Sequence, residues 1–212
     1  MRRPNTNPLL GPDAAASTAG ALCTWVALLR GVNVGKAQRV PMETLRSLLA
    51  GMGCTQVRTL LNSGNSVFRA PGPATSARAL ALASGLVQAL RSELKLEVPV
   101  VVKSAAQWAA LVDGNPFGGA GGGSATVRDP SRLLVALTQD EGSLQALQRI
   151  EGLVSPPEAF TVGPHAAYLH CPDGILDSHA GQALLGKVGQ AVTSRNWATT
   201  LKIQALARAM AP

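Results

Sequence analysis

At 212 residues, with 46% hydrophobic and 15% charged side chains, the chain can bury a full core, as one domain or as two small modules, and is too apolar to be a disordered segment. No apolar run is long enough to span a bilayer. The net charge of +7 is unevenly spread: Thr24 to Ser92 holds eight basic residues against one acid, Glu43, whereas Glu93 to Ser194 holds six basic and ten acidic residues. A basic first half suits an anionic partner or attraction to the acidic stretch, although arginines that merely solvate helix faces give the same count. The three cysteines, Cys23, Cys54 and Cys171, have neither zinc-site nor redox spacing, so reduced thiols in a cytoplasmic protein are expected. Residues 1–21 have only Leu9-Leu10 as an apolar centre, too short for a secretory signal, and are expected to form a disordered tail.

Cys23 to Leu29 predicts a strand that is apolar on both faces, hence central, with Thr24, Val26 and Leu28 on one side and Trp25, Ala27 and Leu29 on the other. After the Arg30–Gln38 loop, a helix is expected from Pro41, with Met42, Leu45, Leu48, Leu49 and Met52 as its apolar stripe. Gln56 to Leu61 and Ser66 to Ala70 predict a hairpin over Asn62-Ser63-Gly64-Asn65. Pro71-Gly72-Pro73 breaks the chain, Thr75 or Ser76 caps a long helix, and Val98 to Lys103 forms the next strand. Ser104 caps a short helix with Trp108 and Leu111 that stops at Asn115-Pro116-Phe117, before a glycine-rich loop over 118–124. Arg132 to Thr138 is a strand, and Asp140 caps a helix with Leu144, Leu147 and Ile150 on one face. Glu158 to Val162 and Ala166 to His170 form a hairpin. Asp177 or Ser178 caps a further helix, Ala191 to Thr193 is a short strand, and Ser194 to Met210 is the last helix.

This order is β-α-β-β-α-β twice over, offset by roughly 108 residues. The expected fold is α+β: two tandem ferredoxin-like units, over 22–103 and 132–194, joined by a connecting segment over 104–131 and followed by a C-terminal helix over 195–212.

The candidate site residues cluster in polar turns. Gly31-Val32-Asn33-Val34-Gly35-Lys36 is not a P-loop, because its spacing is one residue short and Ala37 replaces the magnesium-binding hydroxyl. Arg30, Gly31, Asn33, Gly35 and Lys36 can still hold a phosphate or carboxylate near a helix N-terminus; a structural loop with Asn33 bonded to its own backbone is the alternative. Ser63 and Asn65 offer donors to the same ligand, or simply make a hairpin turn. The two turns are expected at opposite strand ends, which weakens a single-pocket arrangement. Arg195 and Asn196, read as opening the last helix, are candidate anion contacts at its N-terminus, with Trp197 either stacking on a base or buried between units. His170, Cys171, Asp173, Asp177 and His179 are close in sequence but split by Pro172 and Gly174, so no metal or cofactor is expected. Neither Ser63 nor Ser178 has a nucleophile motif around it, and no catalytic residue is assigned. An RNA-binding sheet is disfavoured, because the third strand carries one aromatic, Phe68.

Several stretches together carry a resemblance: Leu-Leu-Arg-Gly-Val-Asn-Val-Gly (28–35), Pro-Met-Glu-Thr-Leu (41–45), Val-Arg-Thr (57–59), Ser-Gly-Asn (63–65), Asn-Pro-Phe (115–117), Tyr-Leu-His-Cys-Pro-Asp-Gly (168–174) and Thr-Ser-Arg-Asn-Trp (193–197). Over residues 22–209 the chain resembles the bacterial domain-of-unknown-function family 1697. The resemblance implies an α+β fold of two related units and brings no activity. The chain departs from the expected pattern at Leu60-Leu61-Asn62, Lys36 and Leu176-Asp177. The expected function is binding of a phosphate-bearing small molecule or a nucleic-acid backbone through the basic first unit, without a membrane partner. The competing readings are an enzyme for a small metabolite in a cleft between the units, lined by Asn33, Ser63, Asn65 and Asn196, and a structural dimer using sheet edges.

Overall fold

The computed structural model describes residues 21–35, 38–117, 129–186 and 191–210. Residues 1–20 of the expected tail and the whole glycine-rich loop over 118–124 lie outside these residues. The first half runs β1 (Leu22–Leu29), α1 (Met42–Gly51), β2 (Thr55–Leu60), β3 (Asn65–Pro71), α2 (Ser76–Leu94) and β4 (Val100–Ser104). After α3 (Ala105–Asp113) come β5 (Leu133–Thr138), α4 (Glu141–Gln145) with a 3-10 helix over Ala146–Leu153, β6 (Ala159–Val162), β7 (Ala167–His170), α5 (His179–Leu185) and β8 (Val192–Asn196). Helix α6 (Trp197–Ala209) follows. The strands form two four-stranded antiparallel sheets, ordered β2-β3-β1-β4 and β6-β7-β5-β8.

The two-sided character of β1 sets the layering. Trp25, Ala27 and Leu29 pack with Leu45 and Leu49 of α1 and with Leu82, Leu86 and Leu90 of α2. Val26 and Leu28 face the other way, into a core shared with Leu133, Val135 and Leu137 of β5, Trp108 and Leu111 of α3, and Ile203 and Ala207 of α6. Beyond the second sheet, Ala136 and Leu169 pack on Leu144, Leu147, Ile150 and Leu184. Helices α3 and α6 are thus buried in the layer between the two sheets.

Local chemistry accounts for the helix starts. Thr75 accepts from the Arg78 N–H at 3.2 Å. Ser104 and Gln107 form a reciprocal capping box. Asp140 accepts from the Ser143 N–H and Ser178 from the Gly181 N–H. The last helix differs from expectation. It begins at Trp197, and its cap is Asn196, which accepts from the Thr199 N–H at 2.9 Å. Ser194 and Arg195 lie in β8 instead, because β5 offers a free edge as far as Leu134, which pairs with Asn196. Leu61 also leaves its expected strand. It sits at φ 57 in the β2–β3 turn, and Asn65 becomes the first, fully buried residue of β3.

Candidate functional site

The two polar turns lie at the same end of the first sheet, against expectation. Antiparallel pairing of β1 with β3 sets Leu28 opposite Asn65, so the chain leaves β1 where the β2–β3 turn begins β3. The Leu29 N–H donates to the Gly64 carbonyl at 2.9 Å. Asn33, at φ 57, closes the arrangement: its Nδ2 donates to the Val40 and Asn62 carbonyls at 2.8 and 2.7 Å, and its Oδ1 accepts from the Val40 N–H at 3.0 Å. The Asn33 amide is therefore consumed in tying the loop to the turn. Gly31 and Gly35 are exposed at positive φ, and Lys36 lies outside the described residues.

Arg195 comes to the same place from the second sheet. Its Nε donates to Asn65 Oδ1 at 2.5 Å, one terminal nitrogen to Thr193 Oγ1 and the Ser194 carbonyl, and the other to the Leu29 and Ser63 carbonyls at 2.9 and 3.1 Å. All five guanidinium N–H groups are thereby engaged by neutral acceptors. Burial pushes the Arg195 pKa down to about 10, which still leaves it charged at neutral pH. Asn65 in turn spends its Nδ2 on the Leu60 carbonyl and Ser63 Oγ, each at 3.0 Å. Arg30 reaches the opposite way and donates to the Leu185 and Gly186 carbonyls at the end of α5, at 3.4 and 3.3 Å. The sequence-nominated residues Arg30, Asn33, Ser63, Asn65 and Arg195 do converge. What they form is a junction between the two halves, in which cations meet backbone carbonyls. Asn196, the helix cap, is one residue beyond it.

A cleft lies at the other end of the first sheet, where β4 ends and α2 begins. It encloses about 640 Å³ and is walled by Ser76 and Leu80 of α2, Lys103, Gln107, Asp140 and His165, among others. A smaller, more apolar depression of about 450 Å³ shares Leu80, Gln139 and Asp140 with it. Neither of these two cavities is lined by Asn33, Ser63, Asn65 or Asn196.

Lys103 is the cationic group of this cleft. Its Nζ donates to the Gln139 carbonyl at a long 3.5 Å, and among the described residues no carboxylate stands within ion-pairing distance of it. Burial pushes its pKa down, partly offset by the charge of Asp140. Gln139 also accepts from the Val102 N–H at 2.8 Å, which covers the open edge of β4. Asp140 holds its carboxyl below the usual range by accepting from the Ser143 N–H and hydroxyl, each at 2.8 Å. Sequence reasoning passed over Lys103; the signal available was a lone charge closing the valine run Val98 to Val102.

The junction and the cleft occupy equivalent positions in the two halves. Lys103 pairs with Val26 across β4 and β1, and Arg195 pairs with Val135 across β8 and β5. Each basic residue is followed by the cap of an inter-sheet helix, Ser104 or Asn196. In one copy a guanidinium bridges the halves; in the other an ammonium stops short and a cleft stands open.

The sequence profile of the family described as protein of unknown function (DUF1697) matches residues 22–168. The chain belongs to this family. Among solved structures it is similar to the conserved bacterial protein SP0830 from Streptococcus pneumoniae, with a TM-score of 0.71 and 20% identity over 88% of this chain and 99% of that one. At that identity the likeness is one of fold. Comparison with curated proteins gave no match. The DUF1697 profile spans the first sheet, Lys103 and the cleft and ends at Tyr168 within β7; Arg195 lies C-terminal to the matched stretch.

Proposed function

We propose that this DUF1697 protein binds a small molecule bearing an anionic group in the cleft between its two sheets, with Lys103 as the anchoring cation. The carrying observation is a half-buried ammonium that, among the described residues, has one long hydrogen bond and no ion-pair partner, lining a cavity of about 640 Å³. That volume suits a metabolite-sized ligand, since such sites run from ~300 to ~1,000 Å³. An ammonium taken partly out of water is costly unless an anion meets it, so the site favours a phosphate or carboxylate. The Arg30, Asn33, Ser63, Asn65 and Arg195 cluster is better read as the clasp that holds the halves together. The strand orders, and the matching places of α1 with α4 and α2 with α5, support reading the halves as two ferredoxin-like units. A cytoplasmic bacterial protein with reduced thiols fits this picture; among the described residues no helix is long and apolar enough to cross a membrane.

The test is a thermal-shift screen of phosphorylated and carboxylated metabolites, followed by calorimetry on wild type and K103M. A hit should lose most of its affinity in K103M. Ligands that stabilise both proteins equally would place the site elsewhere.

A second reading rests on the exposed Arg39, Arg46 and Arg58 of the basic first half, which suit a nucleic-acid backbone. Fluorescent single-stranded RNA and duplex DNA, titrated at low and moderate salt, test it. Steeply salt-dependent binding supports it, and no binding even at low salt removes it.

A further inference from the structure

We propose that the ligand of the Lys103 cleft is a zwitterion, an amino-acid-like molecule that presents an anionic group to Lys103 and a cationic amine to Asp140 and Glu141; this rests on the reading of the cleft as the binding site. The charges on the walls carry the inference. The residues lining the cavity include the cationic Lys103, the acidic Asp140 and Glu141, and His165, with neutral Gln107, Gln139 and Thr138 beside them. A simple anion would gain Lys103 but sit beside two carboxylates, and a simple cation would meet an ammonium. Only a ligand with both signs pairs each wall with its complement. Asp140 and Lys103 act on one another only at longer range, since neither carboxylate lies within ion-pairing distance of the Lys103 amine. Asp140 stays ionised through its bonds from Ser143, and Glu141 is exposed on the next residue.

The equivalent junction supports the amine half independently. There, the wall opposite the last strand presents the Leu29 and Ser63 carbonyls and Asn65 Oδ1, and a guanidinium fills it. By strand register the counterpart of Leu29 is Thr138, and the counterpart of the Ser63 turn is the Pro164-His165 turn, both of which line the cleft. Thr138 and the Pro164-His165 turn thus line a cleft where their counterparts hold a cation, and Asp140 and Glu141 line the same cleft. Apolar Leu80 and Leu144 supply wall for the carbon chain between the two charges.

The experiment is calorimetry of the full chain with glycine, 4-aminobutanoate and 6-aminohexanoate, each beside the carboxylate and the amine of the same chain length. One zwitterion should bind about tenfold tighter than both of its singly charged counterparts, a difference of about 1.4 kcal/mol. K103M should reduce that zwitterion to the level of the amine, and D140N/E141Q, which keeps a capping side chain at 140, to the level of the carboxylate. Carboxylates binding as tightly as zwitterions, with loss in K103M, would overturn the zwitterion and leave the cleft reading standing. No binding by any aminocarboxylate would also overturn the zwitterion, and the metabolite screen above would then decide the cleft separately.

Discussion

The Arg195 guanidinium and the Asn65 side chain, 130 residues apart in sequence, meet at 2.5 Å and join the two halves of the molecule. Asn65 is neutral, and among the described residues no carboxylate pairs with the Arg195 charge. The guanidinium is held entirely by dipoles, so its stability depends on every acceptor remaining in place. R195M strands the Ser63 carbonyl and Asn65 Oδ1, leaves the Leu29 carbonyl with only a long 3.5 Å bond from the Thr193 hydroxyl, and should cost about 3–5 kcal/mol. R195K keeps the charge but has three donors for five acceptors, and should cost roughly half as much. Urea denaturation of both variants measures the difference. Equal stability of R195M and wild type would dismiss the junction.

Asn33 predicts a local effect. N33G keeps the backbone freedom at φ 57 but deletes the bonds to Val40 and Asn62. Hydrogen exchange at the Val40 amide, which donates to Asn33 Oδ1, should accelerate by at least about tenfold, as expected when ~1.4 kcal/mol or more of local protection is removed. Amides at the far end of the sheet, such as Val102, should be unaffected.

At Gly64 the constraint is steric. A methyl group there would lie 2.6 Å from Leu29 Cβ and 2.9 Å from Val32 Cγ2, at a φ of +72. G64A should therefore destabilise the protein by about 2–4 kcal/mol, combining overpacking with left-handed strain. Chemical denaturation reads this directly. An alanine tolerated without loss would mean that β1 and the β2–β3 turn do not approach as described.

Tyr168 is the chain's one tyrosine, which makes its ionisation directly visible. Its hydroxyl donates to the Leu111 carbonyl, and burial pushes its pKa up to about 12. The unfolded chain releases this proton near pH ~10, whereas the folded chain retains it. Its contribution to stability is therefore full below pH ~10 and is lost as pH rises towards 12. Absorbance at 295 nm should show no phenolate at pH ~10, and one phenolate appearing near 12 or together with alkaline unfolding.

Lys103 predicts opposite signs for stability and binding. Its lowered pKa means that the unfolded chain holds the proton more tightly, so burying the ammonium costs stability below the folded pKa, and that cost is relieved as pH rises through it. K103M should melt at the wild-type temperature or up to about 3 °C higher, on a scale of ~2–4 °C per kcal/mol for a chain of this size. The same variant should lose ligand affinity. A marked drop in melting temperature would instead make Lys103 a structural residue.

Several features of the fold were readable without coordinates. Alternation in β1 assigned Trp25, Ala27 and Leu29 to one core and Val26 and Leu28 to another, as found. Thr75, Ser104, Asp140 and Ser178 were among the expected caps, because a cap is a short-range bond between a side chain and an N–H three residues on. The meeting of Asn33 with Asn62, and of Arg195 with Asn65, was not readable. Each depends on which strands pair and in which direction. Arg195 was misplaced for the same reason: Ser194 is an acceptable helix cap locally, but the open edge of β5 draws Ser194 and Arg195 into a strand.

The sequence by itself determined the order of elements and the two-sided character of β1, because these follow from periodicity and capping within a few residues, and its motifs carried the resemblance to the family. Tertiary structure alone decided what the polar residues do. Arg195 and Asn33 carry the chemistry of an anion site, yet pairing at the β1–β3 end surrounds them with carbonyls and uses every donor they have. Lys103 looks unremarkable at the end of a valine run, yet β4 and the β5–α4 turn leave its ammonium facing open space. The difference is geometric: a charge becomes a clasp or a binding group according to which acceptors the opposite half brings within about 3 Å of it.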